Sequence, residues 1–448
     1  MSGQPDEVPR RARWSEADAE RQLRSLELFG MRFGLDRMRR MMTALGSPER
    51  RFDSIQVLGS NGKSSTTRMI ASILRRHGLR TGAYLSPHLV SYRERIEVDE
   101  RELDSESFAR AVAQASAAAE RVNRTLSEDD HVTQFELLTA AAMWEMARQD
   151  VEVAVVEAGL GGRYDATSVI DASVTVLTNV GLEHTRWLGP TLTDIAEEKL
   201  AVVRRRATLA LGPDLAAPAL AVAERLAGER EARIVLADAA GEHGPQLAGA
   251  FQRRNLSLAR VAAAAFLRER GIEPREQAFL DAAAEARFPG RLQLLDGEPP
   301  TLLDGAHNPD AVTALVHALP EVLPQRPLAL VLGVLEDKDA ASMLRALLPM
   351  CEHAFFTAPP SGRALSPAAL QSLARQLSFE AVTVQTRPER ALQAAREWAR
   401  ARSGAVLATG SVYLVGDLLA SLPAGQGADA GASASVPLQR ASRGSSRG

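Results

Sequence analysis

Short apolar runs alternate with segments of helical spacing along most of this chain. The first pair is Ile55–Leu58, followed by Thr67–Leu74, in which apolar residues recur at helical spacing. Three more apolar runs end at Leu85, Val156 and Thr178. Strands that alternate with helices in this way predict a largely parallel sheet with helices on both faces. Helices are predicted over residues 17–29, from Asp36 as N-cap, over 106–121 and over 134–148.

Two glycines shape the turn between the first strand and the first helix, Gly59–Ser64. Glycine lets the backbone approach an anion closely, and the following helix points its free N–H groups at that anion. Lys63 can then reach a terminal phosphate, and Ser64 or Ser65 can ligate magnesium. A complete P-loop motif has glycine where this chain has Val57. The turn therefore predicts nucleotide binding, with an ordinary strand–helix turn as the alternative.

A second α/β unit follows in the C-terminal half. Its strands are predicted at residues 301–303, 328–332, 354–357, 381–384 and 405–408, and its helices near 309–318, 339–348, 366–376 and 387–401. The predicted fold class is α/β, with an N-terminal P-loop-type ATPase domain on a mostly parallel sheet and a smaller C-terminal Rossmann-like α/β domain. The predicted divisions are a mobile extension over 1–16, a nucleotide-binding domain over 17–291, the second domain over 292–423 and a disordered tail over 424–448.

The composition excludes several classes of protein. Hydrophobic residues make up 45% and charged residues 24% of the chain, and the formal net charge is −3. These values are typical of a soluble globular protein without general affinity for nucleic acid or an anionic membrane. The one cysteine, Cys351, rules out an intramolecular disulfide. We find neither a signal peptide nor an apolar run of transmembrane length, so we expect a cytoplasmic location.

Lysine is rare in this chain. Of the 53 basic residues, only Lys63, Lys199 and Lys338 are lysines. A lysine kept in such a chain marks a position where arginine cannot serve, unless chance left it there. Lys63 lies in the glycine turn and Lys338 follows a strand of the second unit, whereas neither pattern explains Lys199.

Polar side chains follow three predicted strands of the first unit, at Ser86, Glu157 and His184. The carboxyl ends of parallel strands meet at one edge of a sheet, where ligands gather. A hydroxyl, a carboxylate and an imidazole there suit magnesium, which takes few protein ligands and completes its shell with water and phosphate oxygens. Taken singly, the same residues are explained by a turn residue, a helix cap and a core histidine.

Six motifs occur in order from about residue 20 to 420. They are Gly59–Lys63, Ser86–His88, Glu157–Arg163, Glu183–Thr185 with Glu198 and Lys199, Asp304–Pro309, and Thr409–Tyr413. Together they resemble the folylpolyglutamate synthase/dihydrofolate synthase family, the folate branch of the Mur ligases. The resemblance implies that ATP phosphorylates a dihydropteroate or reduced folate carboxylate and that the amino group of L-glutamate then attacks the acyl phosphate. One such motif is weak evidence, whereas six in this order are strong.

The resemblance also implies the site residues. The residues implied to bind ATP are Gly59, Ser60, Asn61, Gly62, Lys63, Ser64, Asn255, Arg291 and Asp304. Ser86 is implied to ligate one magnesium ion, and Glu157 with His184 the other. Lys199 matches a lysine that is carbamylated in relatives and then supports a magnesium ion. Arginine cannot form that carbamate, so the residue has to be lysine. The implied catalytic residues are Lys63, Lys199 and His307, and a need for a monovalent cation is left open.

Three segments are implied to bind the pterin. They are Asp36, Arg37, Met38 and Arg39; Thr133, Gln134, Phe135 and Glu136, with Phe135 offering a ring face; and Tyr164, Asp165 and Ala166. Relatives usually have histidine and glutamine before Asn255, where this chain has Gly249–Gln252. The assignment of Asn255 to ATP therefore has weaker motif support than that of Lys63. The role of Lys338 is left open, with pairing to Asp337 or Asp339 as the ordinary alternative.

Two other functions share part of this pattern. A Mur-type peptidoglycan ligase needs a UDP-sugar-binding domain before the phosphate loop, whereas only about 55 residues precede the loop here. A P-loop NTPase acting as a switch or binding module has no use for Asp304–Pro309. We therefore expect small-molecule partners, namely ATP, L-glutamate and a folate-type acceptor, and a monomer. The balance between dihydropteroate and folate as acceptors is left open.

Overall fold

In a computed structural model of the chain, the described residues are 14–26, 34–238, 247–323 and 326–422. The chain divides into two compact units, Met1–Gly241 with Arg254–Phe279 and Glu242–Arg253 with Leu280–Gly448. The predicted tail, and the predicted extension up to residue 13, lie outside the described residues. Among those described, no helix has both the length and the apolar character needed to span a membrane.

The first unit is built on a sheet of eight strands within the described residues. The strands are β1 (Asp53–Leu58), β2 (Thr81–Tyr84), β3 (Ile96–Val98), β4 (Arg101–Glu102), β5 (Val153–Glu157), β6 (Val174–Leu177), β7 (Thr208–Leu211) and β8 (Arg233–Leu236). They lie in the order β4-β3-β2-β5-β1-β6-β7-β8. The six strands β2, β5, β1, β6, β7 and β8 pair parallel with one another. At one edge, β3 pairs antiparallel with β2, and β4 pairs antiparallel with β3. The central β1 is buried from Ser54 to Leu58, as expected of a parallel strand covered on both faces.

Helices cover both faces of this sheet. Those that precede the second sheet in the chain are α1 (Glu16–Ser25), α2 (Asp36–Ala44), α3 (Lys63–Arg76), α4 (Ser105–Asn123), α5 (Gln134–Arg148), α6 (Thr185–Leu188), α7 (Leu192–Leu200), α8 (Ala217–Arg230), α9 (Ala250–Glu269) and α10 (Glu276–Ala284). One apolar core lies under α1, α2, α4 and α5, and another under α7 and α8. The predicted N-cap Asp36 is wrong: Leu35 is the N-cap, and Asp36 is the first helical residue, ion-paired to Arg40 at 2.8 Å.

The second unit has its own, six-stranded sheet among the described residues. Its strands are β9 (Gln293–Leu295), β10 (Thr301–Leu303), β11 (Leu328–Leu332), β12 (His353–Phe356), β13 (Val382–Val384) and β14 (Ala405–Thr409). Its helices are α11 (Pro309–Val322), α12 (Ala340–Leu347), α13 (Pro367–Gln376), α14 (Pro388–Arg400) and α15 (Val412–Ser421). The order is β13-β12-β11-β14-β10-β9, and only β9 pairs antiparallel. Two mostly parallel sheets confirm the predicted α/β fold class.

The thiol of Cys351 is expected to resist alkylation at pH 8 while the protein is folded. Cys351 is buried in the core of the second unit, and its Sγ donates to the carbonyl of Leu347 at 3.2 Å. Burial raises the pKa of the thiol to about 12, so about one molecule in ten thousand carries the reactive thiolate at pH 8. Labelling with iodoacetamide, followed by mass spectrometry, checks this. Full labelling of the native protein within minutes would contradict it, and a urea-unfolded sample is the control.

Candidate active site

Residues that follow β6 hold the phosphate loop in place. The Oγ1 of Thr178 donates to the carbonyl of Asn61 at 2.6 Å. The side-chain oxygen of Asn179 accepts from the backbone N–H groups of Ser60 and Asn61 at 3.2 and 2.8 Å. Gly59 has a φ of +148°, and a Cβ there would lie 1.8 Å from Thr178 Oγ1. The close approach of the two strand ends therefore requires glycine at this position. Thr178 and Asn179 were not among the predicted site residues.

Asn255 lies against the same loop, within the first unit. Gly62, the N-cap of α3, has a φ of +82°, and a Cβ there would lie 2.5 Å from the Oδ1 of Asn255. The helix α9 thus brings the predicted ATP residue to the start of α3. This contact exists although the segment before Asn255 departs from the family pattern.

Two lysines converge on one carbonyl of the loop. The Nζ of Lys63 donates to the carbonyls of Gly59 and Ser60 at 3.1 and 3.2 Å. The Nζ of Lys199, in the last turn of α7, donates to the Gly59 carbonyl at 2.8 Å. Lys199 is only 4% exposed. Burial, together with the nearby charge of Lys63, lowers the pKa of Lys199 to about 7. The side chain is therefore largely a neutral amine just above neutral pH.

Glu157, at the end of β5, connects the phosphate loop to the segment after β2. It is buried, and its Oε1 accepts from the Oγ of Ser64 at 3.0 Å. Its Oε2 accepts from the backbone N–H of Ser86 at 3.1 Å. The structure thus brings together a carboxylate and two serines, which is a set of hard oxygen donors.

His184 lines a cavity together with both lysines. The cavity is bounded by Gly59, Lys63, Ala158, Gly159, Leu160, Gly161, Glu183, His184, Leu188 and Lys199. The Nε2 of His184 lies 3.7 Å from the Oε1 of Glu183. In the described part of the chain, no group of three or more His, Cys, Asp or Glu side chains is placed to hold a metal. The four predicted metal residues are thus found as two pairs: Ser86 hydrogen-bonds Glu157, and His184 lines the cavity with Lys199.

A buried aspartate shapes the glycine-rich loop after β5. The Oδ2 of Asp165 accepts from the N–H of Leu160 at 2.7 Å, and its Oδ1 accepts from the N–H of Thr167 at 2.9 Å. Burial raises the pKa of this carboxyl above its ordinary value. A Cβ at Gly162 would lie 2.3 Å from the carbonyl oxygen of Lys199. The loop therefore packs directly on the backbone that carries Lys199.

The predicted pterin residues occupy very different surroundings. Among the α2 residues, Met38 is in the core, Asp36 and Arg39 are exposed, and Arg37 is buried. The Nε of Arg37 donates to Glu136 Oε1 at 3.0 Å, which joins α2 to the start of α5.

The second predicted segment begins α5. The hydroxyl of Thr133 accepts from the N–H of Glu136 in a capping box, and Gln134 donates to the carbonyl of Leu23 at 2.7 Å. Phe135 lies against the glycine loop, since a Cβ at Gly159 would be 2.5 Å from its ring. In the third segment, Tyr164 is exposed and Ala166 is buried. Of the two aromatic residues among those predicted to bind the pterin, Phe135 is thus half-buried and Tyr164 is exposed.

In the second unit, Asp304 organises the loop after β10. Its Oδ2 accepts from the N–H of Leu292 at 2.9 Å, and its Oδ1 accepts from the N–H of Ala306 at 2.8 Å. Burial raises the pKa of the Asp304 carboxyl, while the charge of Arg291 opposes that rise. The ring of His307 contacts the Gly305 carbonyl through Nδ1 at 2.8 Å. The predicted residues Arg291, Asp304 and His307 are therefore gathered around one loop.

Lys338 also has a defined contact in the second unit. Its Nζ lies 3.7 Å from the Oδ2 of Asp337, and its side chain is 11% exposed. Asp339 instead caps α12 through the N–H of Ser342 at 2.9 Å. Lys338 therefore pairs with Asp337, one of the two carboxylates named for it.

Comparisons with known proteins identify the two units. The Mur ligase middle domain matches residues 57–208, and the Mur ligase glutamate ligase domain matches residues 290–412. A longer protein of Haloferax volcanii is 34% identical over 423 residues, which is 88% of this chain and 49% of that protein. The chain therefore spans about half the length of that relative.

Two other relatives are matched over most of their own length. The folylpolyglutamate synthase of Lacticaseibacillus casei is 33% identical over 362 residues, 75% of this chain and 84% of that protein. The dihydrofolate synthase/folylpolyglutamate synthase of Escherichia coli is 33% identical over 381 residues, 78% of this chain and 83% of that protein.

Solved structures are also similar to this chain. Folylpolyglutamate synthase of Mycobacterium tuberculosis, complexed with ADP and AMPPCP, superposes with a TM-score of 0.83 at 29% identity, covering 90% of this chain and 98% of that chain. Escherichia coli FolC in complex with DHPP and ADP gives a TM-score of 0.79 at 29% identity, covering 91% and 97%. The resemblance carried by the six motifs is confirmed. The chain belongs to the folylpolyglutamate synthase/dihydrofolate synthase family of Mur ligases.

Proposed function

We propose that this protein is an ATP-dependent carboxylate–amine ligase that adds L-glutamate to dihydropteroate or to a reduced folate. The reaction proceeds through an acyl phosphate: the acceptor carboxylate attacks the γ-phosphorus of ATP, ADP leaves, and the amine of glutamate then displaces phosphate. The chain's relatives favour this function over a peptidoglycan ligase or an NTPase switch.

The observation that carries the proposal is the position of the Lys63 ammonium, which donates to the carbonyls of Gly59 and Ser60 within the phosphate loop. Phosphoryl transfer needs positive charge placed beforehand around the transferred group, because negative charge spreads over its oxygens in the transition state. Lys63 starts the helix after the phosphate loop, and the free N–H groups at such a helix start favour an anion. We assign Gly59 to Ser64, with Asn255, to the ATP phosphates.

The oxygen donors around Glu157 fit magnesium. The buried carboxylate already contacts Ser64 and the Ser86 segment, and magnesium prefers such ligands in small number. We assign Ser86, Glu157 and His184 to this role. When bound, the ion supplies charge neutralisation at the phosphate oxygens. On the family resemblance, we assign Arg291, Asp304 and His307 of the second unit to binding ATP and glutamate. We also keep the proposal that the first domain ends at Arg291.

Lys199 fits the carbamylation that the family resemblance implies. Addition of carbon dioxide needs a neutral amine as nucleophile, and burial supplies one by holding the pKa of Lys199 at about 7. The N–C bond forms as the amine loses one proton, which gives a carboxylate on the lysine. That carboxylate would join the Glu157 carboxylate and the His184 imidazole as a third group to support magnesium.

Product analysis tests the function. Phosphate release is measured with ATP and dihydropteroate plus glutamate, with each substrate alone, and with tetrahydrofolate in place of dihydropteroate. We expect release above background only when acceptor and glutamate are both present, with the amide product seen by mass spectrometry. Phosphate release that ignores both substrates would favour an NTPase instead. The same assay decides between dihydropteroate and tetrahydrofolate as acceptor. The cytoplasmic location and the monomeric state stay predictions.

A further inference from the structure

Two arginines are buried among the described residues, Arg37 at 7% and Arg95 at 9% exposure. Arg37 is neutralised by two carboxylates, with Nε 3.0 Å from Glu136 and Nη1 2.9 Å from Asp130. Arg95, by contrast, forms no ion pair with any described residue; its Nε donates to the Nδ1 of His88 at 2.9 Å. A buried cation without a counter-ion is costly. A ligand that brings a negative charge removes that cost.

The terminal nitrogens of Arg95 remain available to such a ligand. His88 uses the Nε, which leaves the N–H groups of Nη1 and Nη2. Neither nitrogen is among the fully enclosed, unpaired atoms of the described residues, so each retains some accessible area although Arg95 as a whole is 9% exposed. The guanidinium lies 5.6 Å from the ring centroid of Tyr92, and the rings of His88 and Tyr92 are 4.3 Å apart. The guanidinium is therefore held in one orientation.

The charges that act on His88 and Tyr92, the two rings beside this guanidinium, are mainly positive. Arg24 of α1 acts electrostatically on both His88 and Tyr92. Glu20 acts on Tyr92 but is already paired with Arg24 at 2.9 Å. Two cations and one engaged carboxylate thus attract an anion to this place.

Arg95 also lies next to the segment of the predicted metal residue Ser86, and close to a residue that packs near the predicted pterin residue Phe135. Its carbonyl accepts from the N–H of Leu85 at 2.9 Å, immediately before Ser86. Its charge acts on Tyr84, whose ring centroid is 6.1 Å from that of Phe135. Phe135 in turn lies against the glycine loop. A folate-type molecule stacked on Phe135 can therefore present an anionic group to Arg95.

We propose that Arg95, positioned by His88, binds a carboxylate of the acceptor substrate. The planar fork of a guanidinium matches both oxygens of a carboxylate. This inference rests on the proposed ligase function. The carboxylate has two sources: the reacting group, which dihydropteroate also carries, or the free carboxylate of a glutamate already attached, which only glutamylated folates carry.

Acceptor kinetics of Arg95→Gln test the proposal and separate the sources. With ATP and glutamate saturating, we expect the acceptor KM to rise about 30-fold, as for loss of a charge-assisted hydrogen-bond pair, while the KM for ATP stays unchanged. A rise for both dihydropteroate and tetrahydrofolate identifies the reacting carboxylate. A rise for tetrahydrofolate alone identifies the attached glutamate. Arg95→Lys should recover part of the loss.

Controls keep the outcome decisive. Arg148→Gln removes an arginine that is paired with Glu145, and we expect it to leave the acceptor KM unchanged. If Arg95→Gln does not fold, His88→Ala carries the test: the acceptor KM should rise at least five-fold, and His88→Asn, whose oxygen can accept from Nε, should restore it. An unchanged acceptor KM in a folded Arg95→Gln, or in His88→Ala, overturns the proposal. A wild type that forms no amide product overturns the proposed function instead.

Discussion

Lys199→Arg is expected to abolish formation of the amide product, with a loss of at least about a thousandfold in kcat, the scale of removing a preorganised group at a phosphoryl-transfer centre. The lysine amine lies 2.8 Å from the Gly59 carbonyl and is 4% exposed. Arginine keeps a positive charge there, yet it is protonated at every working pH and cannot add carbon dioxide. The loss therefore measures the chemistry of the amine rather than its charge.

Two measurements accompany the turnover of this variant. Carbon-13 NMR with labelled bicarbonate should show a carbamate resonance in the wild type and none in Lys199→Arg. That resonance should fade as the pH is lowered from 8 to 6, because protonation of an amine with a pKa of about 7 removes the nucleophile. Thermal unfolding should remain cooperative. Near-normal turnover by the folded variant would refute both the carbamylation and the catalytic role of Lys199.

Gly162→Ala is expected to destabilise the protein by about 2–3 kcal/mol, as for overpacking of a closely packed site, and to lower kcat at least about a hundredfold. The new methyl would lie 2.3 Å from the carbonyl oxygen of Lys199 and 2.7 Å from that of Glu198. Both contacts are with backbone, so the last turn of α7 must move. Lys199 moves with it, away from the Gly59 carbonyl. Chemical unfolding and steady-state turnover measure the two effects.

Gly228→Ala is the matched control. Gly228 is exposed in α8, and a Cβ there would meet no atom within 4 Å. Alanine in place of glycine inside a helix should stabilise the protein by about 0.5–1 kcal/mol and leave kcat unchanged. If Gly162→Ala has the same free energy of unfolding and the same kcat as Gly228→Ala, the packing of the glycine loop on Lys199 does not position the lysine.

Several elements could be predicted because their local pattern is strong. The strands β10 and β11 and the helix α5 begin and end where they were predicted, and β1 and α3 differ by a few residues at their ends. Long apolar runs and helical spacing are local properties, so the sequence alone is enough for them. The antiparallel strands β3, β4 and β9 were not predicted, since they are two or three residues long and are fixed by pairing with their neighbours.

The sequence by itself determined the family, the two α/β units and the residue types at the carboxyl ends of the strands. Lys199 stood out because lysine is so rare in this chain. Only the tertiary structure decided which of these groups meet: that Lys199 shares the Gly59 carbonyl with Lys63, that Asn179 holds the phosphate loop, and that Arg95 is buried with no carboxylate partner among the described residues. These contacts join residues from 4 to about 140 positions apart. Most of them arise from the order in which the strands pair, which no local pattern of the chain encodes.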